Sequence, residues 1–233
     1  MSSSGNPSAG SRVLTIAVRD GAVFEDQCAV AARDDSLRAA VIHLTIEAGR
    51  AVSVEPGMPA ILAALQIPVV AGLSGRVDDR VLELALAADV RICDAGSSFA
   101  MTQPGRGEFP SDGGTQRLPR VIGPGLATDM LLTGRRITAE EALRVGLVTE
   151  IVPAGMARDR ADEIAADIAA HGQAGGRFTK EAVLKGADMP LESSLRLEAD
   201  LAILLHTDPE RVEGINAFNE RRKPDFLLDG PQE

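Results

Sequence analysis

Two short stretches, Ala40–Ile46 (AVIHLTI) and Pro68–Leu73 (PVVAGL), are apolar at almost every position instead of every second one. A strand with one face in water alternates, so runs of this kind mark strands covered on both faces, the habit of parallel sheets flanked by helices. Val13–Val18 (VLTIAV) and Val90–Cys93 extend the series of short strands. Helical stretches fall between them: a weak one over residues 25–38 with Cys28, Val30, Ala31 and Leu37, a short one over Met58–Gln66, and a third over Asp79–Ala88. Strand, helix, strand, helix, strand in this order predicts an α/β fold with a largely parallel sheet and right-handed crossovers.

Past a loop of glycines, prolines and charges at Gly105–Gly114, the pattern turns mostly helical. Thr138–Ala139–Glu140–Glu141 has the form of a capping box. Its helix stops at Gly146, and a short strand, Leu147–Val152, follows. An amphipathic, acidic helix is expected over Ala157–Ala170, and Asp208–Pro209 opens a further one with a side-chain cap and a proline that needs no N–H there. The expected organisation is a tail over 1–11, an α/β core over 12–153 and a helical C-terminal region over 154–233.

Charge and composition narrow the function. The 233 residues carry a formal charge of −10, with six Phe, no Trp and no Tyr. Binding nucleic acid needs a clustered basic surface, and base stacking needs aromatic platforms, so neither is expected. The polar, glycine-rich start reads as a tail and not a signal peptide. No apolar run is long enough to cross a bilayer, and the two distant cysteines, Cys28 and Cys93, read as buried thiols of a reducing cytoplasm. Without a His/Cys/carboxylate cluster at ligand spacing, no metal is expected. His43, inside an apolar strand, reads as a core histidine, and His171 and His206 fall at helix ends.

One motif is far more specific. Gly113–Gly114–Thr115–Gln116–Arg117–Leu118–Pro119–Arg120, with Gly123, Leu131–Leu132–Thr133–Gly134 and Ile137–Thr138–Ala139–Glu140–Glu141–Ala142–Leu143 behind it, resembles the enoyl-CoA hydratase/isomerase (crotonase) family. Upstream, Glu83–Leu84–Ala85–Leu86–Ala87–Ala88–Asp89 and Arg91–Ile92 match as well, and Ala217–Phe218 with Arg222–Lys223–Pro224 through Phe226 is similar to the family's terminal helix. The resemblance implies a ββα spiral core, a helical C-terminal part used for a homotrimer or a dimer of trimers, and an acyl-CoA substrate of fatty acid metabolism. Coenzyme A would enter as part of that substrate, with no permanently bound cofactor. It also implies two backbone N–H donors for the thioester oxygen, a strong electrostatic aid to catalysis, and side-chain carboxylates that move protons.

Carried onto this sequence, the resemblance places Glu83 at the family's first catalytic glutamate, with the spacing from Gly75 kept. The three glycines before it have become Asp79, Arg80 and Val81. Two readings of Arg80 stand open: it grips a carboxylated substrate, or it swings to solvent or to Asp78. The ungapped count from Phe99 puts Gln103 where the second glutamate belongs; an amide cannot act as a base but can orient water or a thioester. Asp112, next to Ser111 on the substrate side of the loop, is either an acid standing in for that glutamate or, with Glu108, a cap for the helix near Thr115. The other oxyanion loop corresponds to Gly49–Arg50–Ala51–Val52–Ser53–Val54–Glu55–Pro56–Gly57, with Val54 and Pro56 at substrate-binding positions. Pro56 falls at the donor and has no N–H, unless the alignment slips by a residue or two. Lys223 matches a position that reaches the CoA phosphate, or is a solvated tail lysine. The chain is also shortened on either side of this loop. Three functions follow: a hydratase or isomerase acting through Glu83, a silent acyl-CoA binder or partner subunit, or a hydrolase or decarboxylase with Arg80 on an anion.

Overall fold

The computed structural model describes residues 12–18, 20–45 and 52–226. The expected tail, Ile46 and the Gly49–Arg50–Ala51 anchor lie outside them. Five parallel strands form the main sheet in the order β1 (Val13–Ile16), β2 (Ala39–Thr45), β3 (Val69–Ser74), β5 (Val90–Asp94) and β8 (Glu150–Val152). A second, three-stranded sheet joins β4 (Arg76–Asp78) in parallel to β6 (Ser98–Ala100), and β6 in antiparallel to β7 (Ile137–Thr138). Strands β4, β6 and β7 were not expected, each being of three residues or fewer and too short for a periodicity.

The covered strands are what the apolar runs demanded. Ala40, Ile42, Leu44, Val69, Ala71 and Leu73 feed one core cluster, and the intervening Ala39, Val41 and Val70 feed another on the opposite face. The first face is roofed by α1 (Gly21–Arg33), α2 (Met58–Ala63) and α3 (Asp79–Ala85). The second is closed by α7 (Ala157–Ala169), whose buried Ala157, Ala161, Ala165 and Ala169 recur every fourth residue. Small side chains let that helix lie almost on the backbone of β3. A Cβ on Gly72 would come within 2.7 Å of the Ala157 carbonyl oxygen.

Local chemistry moved several boundaries. Helix α1 begins ahead of the expected residue 25 because Asp20 accepts from the Ala22 and Val23 amides. It ends at Arg33, where the Asp34 carboxylate turns back on Ser36. After α4 (Gly114–Ile122) and α5 (Pro124–Thr133), α6 (Ala139–Arg144) shows half of the expected capping box: Thr138 Oγ1 accepts from Glu141 N, while the Glu141 carboxylate pairs with Arg135. The remaining helices, α8 (Gln173–Gly186), α9 (Leu191–His206) and α10 (Pro209–Glu220), make up the C-terminal part, and Asp208 caps α10 as expected. His43 reaches Asp162 of α7 at 3.0 Å. Cys28 and Cys93 are free and buried, and burial pushes both thiols up to about 12.

Candidate active site

Helix α3 buries the side chain of Glu83, which is only 1% exposed. Its carboxylate is met by fixed donors on both sides. Oε1 accepts from the backbone N–H groups of Asp112 (3.0 Å) and Gly114 (2.9 Å), and Oε2 accepts from the Gln103 amide at 3.2 Å. A side chain at Gly114 would crowd this contact, since a Cβ there would stand 2.9 Å from Oε1. Burial raises the Glu83 pKa above the ordinary carboxylate value; the three hydrogen bonds pull the other way, and the neighbouring Asp112 charge adds to the rise.

Gln103 opens a short 3₁₀ turn, Gln103–Arg106, and is itself buried. Its Nε2 is used on Glu83, and its Oε1 is buried with no partner. Asp112 shows the same asymmetry: Oδ1 accepts from the Gly57 N–H at 3.0 Å, and Oδ2 is buried with no partner. Arg117 donates to the Asp112 carbonyl at 2.8 Å and braces this turn from below. Two acceptors without donors thus lie on the two residues that flank the Glu83 carboxylate, an arrangement that asks for a donor such as a water or a hydroxyl.

The structure settles several open readings. Asp112 does not cap the helix near Thr115: α4 has Gly113 at its N-cap and no side-chain cap, because the carboxylate is spent on Gly57. Glu108 is no cap either and pairs with Arg106 at 3.1 Å. Arg80 is exposed, and Asp78 is held by Arg136, with both bonds at 2.7 Å, so the Arg80–Asp78 pairing does not form. In the other loop Val54 is buried and Pro56 is exposed, and the N–H that reaches the site belongs to Gly57, one residue beyond Pro56. Ser111 and Lys223 are exposed, and no hydrogen bond among the described residues joins either to Glu83, Gln103 or Asp112. Sequence reading missed Gly57 and Arg117, whose roles depend on contacts across turns, and Asp79, which caps the turn carrying Gln103.

A family model for enoyl-CoA hydratase/isomerase matches residues 51–228, a span that takes in every one of these groups. The chain belongs to the enoyl-CoA hydratase/isomerase family. It is 35% identical over 167 residues to the crotonyl-CoA hydratase of Syntrophomonas wolfei, covering 72% of this chain and 64% of that one. With the (E)-benzylidenesuccinyl-CoA hydratase of Thauera aromatica it shares 40% identity over 159 residues, covering 68% and 62%. The match therefore spans less than two thirds of the length of these curated relatives. The crystal structure of an enoyl-CoA hydratase from Bacillus anthracis superposes with a TM-score of 0.82 at 28% identity, over 92% of this chain and 95% of that one. The family fold, a mixed α/β core followed by C-terminal helices, is the one expected from the sequence.

Proposed function

We propose that this family member acts on a CoA thioester by acid–base chemistry at Glu83. The observation that carries the reading is the buried Glu83 carboxylate, fixed by two backbone N–H groups and one amide, beside two buried acceptors that have no donor. In the hydration of a 2-enoyl thioester, Gln103 Oε1 or Asp112 Oδ2 accepts one hydrogen of the water and leaves the other directed at Glu83. Glu83 takes one proton as the water oxygen bonds to C3, and returns that proton to C2. One water is added, the double bond is lost and the carboxylate is regenerated. A neighbouring carboxylate and burial both raise the proton affinity of Glu83, which suits a group that must accept and then give up a proton. The Gly57 N–H serves the thioester oxygen once Asp112 turns to the water.

The exposed apolar side chains of α9 and α10, Leu191 and Phe218 among them, support assembly into a homotrimer or a dimer of trimers. A second reading, a silent acyl-CoA binder, is favoured by one observation: Asp112 already occupies the loop N–H that a thioester would need.

The test is turnover of short-chain 2-enoyl-CoA and 3-hydroxyacyl-CoA thioesters, followed by the absorbance of the conjugated thioester. Glu83→Gln should lower the rate by about 10²–10⁴-fold. An unchanged rate would remove Glu83 from the chemistry. No turnover by the parent protein, with a melting temperature raised by CoA thioesters, would establish the silent binder.

A further inference from the structure

Helix α3 opens on a residue in an unusual conformation. Asp79 has φ +52°, in the left-handed region that side-chain-bearing residues rarely enter. Such a backbone is strained and persists only where its surroundings hold it. What holds Asp79 is its own carboxylate. Oδ1 accepts from the backbone N–H of Thr102 (2.5 Å) and of Gln103 (3.2 Å), and Oδ2 accepts from Thr102 Oγ1 (2.8 Å) and from Arg106 (2.9 Å). Every one of these donors belongs to the 3₁₀ turn that carries Gln103 or to the residue before it. Thr102, at the N-cap of that turn, offers no side-chain cap of its own.

Gln103 is therefore gripped at both ends by one helix. Asp79 holds its backbone N–H, and Glu83, one helical turn later, holds its side-chain amide. A glycine at this position would accept the same φ without strain but would leave the Thr102 and Gln103 N–H groups without the carboxylate that binds them. We propose that Asp79 is a positioning residue whose carboxylate fixes the Gln103 turn so that the Gln103 amide meets the Glu83 carboxylate and its bare Oε1 faces the reacting water. The proposal rests on the reading of Glu83 as the acid–base group. The charged groups around the pair are Asp112 beside Glu83, and Arg106 and Arg136 toward Asp79.

The experiment uses the full chain and follows the Glu83 carboxyl by infrared difference spectroscopy across pH, the band being identified by its absence in Glu83→Gln. Asp79→Gly should move the Glu83 titration upward by about one pH unit, because a donor to the charged form is lost. Simple removal of a neighbouring negative charge would move it downward, so the direction separates the two effects. Gln103→Ala should give the same upward move, and Asp79→Gly placed on top of it should give no further rise. Asp79→Asn, whose amide oxygen can still accept from both backbone N–H groups, should show no rise, and it serves where the glycine variant folds poorly. A lower melting temperature with an unmoved Glu83 titration, or a rise that adds to that of Gln103→Ala, would overturn the proposal. The reading needs no turnover, so its failure is distinct from loss of the proposed activity, which Glu83→Gln reports in the rate assay.

Discussion

The site around Glu83 and the C-terminal helices are held by opposite means. Around Glu83 the polar groups are few and sunk in apolar packing: Leu82, Leu84 and Ala85 of the same helix are fully buried. Helices α8, α9 and α10 have between them only two buried residues, Leu201 and Ala217, and α8 has none. They are fastened by charge. Arg38, 5% exposed, pairs with Glu210 at 3.2 Å and donates to the carbonyls of His171 and Phe226, and Glu210 accepts from the Gln173 and Ala174 amides. Lys180 meets Asp89 at 2.7 Å and donates to the Ile67 carbonyl. Between α8, α9 and α10 lies a largely apolar cavity of about 510 Å³, while Leu191 is 74% and Phe218 84% exposed. Apolar packing seats the helix that carries Glu83, and three hydrogen bonds fix its carboxylate. Ion pairs attach a layer of helices while leaving its apolar faces outward.

If that contrast is right, the largest effect on stability should come from the clasp. Arg38→Ala leaves Glu210 and two carbonyls without their cation and should cost about 3 kcal/mol. Hydrogen exchange should show α8–α10 opening before the sheet; uniform loss of protection would break the comparison. In the core, Gly114→Ala pushes a methyl group against Glu83 Oε1 and the Met101 methyl. It should cost about 2 kcal/mol in urea unfolding and reduce any Glu83-dependent turnover with it. Asp208→Ala removes only the cap of α10 and should cost about 1 kcal/mol, confined to the C-terminal helices in the exchange profile.

The smallest expected effect is on pH dependence. Burial raises the Glu83 pKa in the folded state, so between the ordinary glutamate value and the raised one the native protein holds a proton that the unfolded chain has lost. Stability contributed by this group should fall as pH rises through that window. Glu83→Gln should be flat there. Asp79 has the opposite sign: burial tends to raise its pKa, but the bonds from Thr102 and Arg106 outweigh this and lower it. Its contribution is present above the ordinary aspartate value and is lost as pH falls through the lowered one. Denaturation midpoints measured across the acid range separate the two.

Much of this site was legible in the chain. The family resemblance pointed to Glu83 through its spacing from Gly75 and to Gln103 through an ungapped count from Phe99, and both counts run over neighbouring stretches of chain. Asp112 was visible as an acid in the right loop, but its partner was not, since the Gly57 amide lies 55 residues away. The cap that Asp79 places on the Gln103 turn crosses from a helix to a separate turn 23 residues on, and no periodicity encodes such a contact.

Which strands are covered on both faces, where α6 and α10 begin, and the helical setting of Glu83 could all be read from the chain alone. Each of these follows from interactions between near neighbours or from hydrophobic pattern. Which oxygen each donor reaches was set by packing. The same packing turned Asp112 from a helix cap to a partner of Gly57, sent Arg80 to solvent and tied the C-terminal helices to Arg38. Those outcomes depend on how segments distant along the chain compete for the same buried hydrogen bonds, and that competition is resolved only when the layers pack.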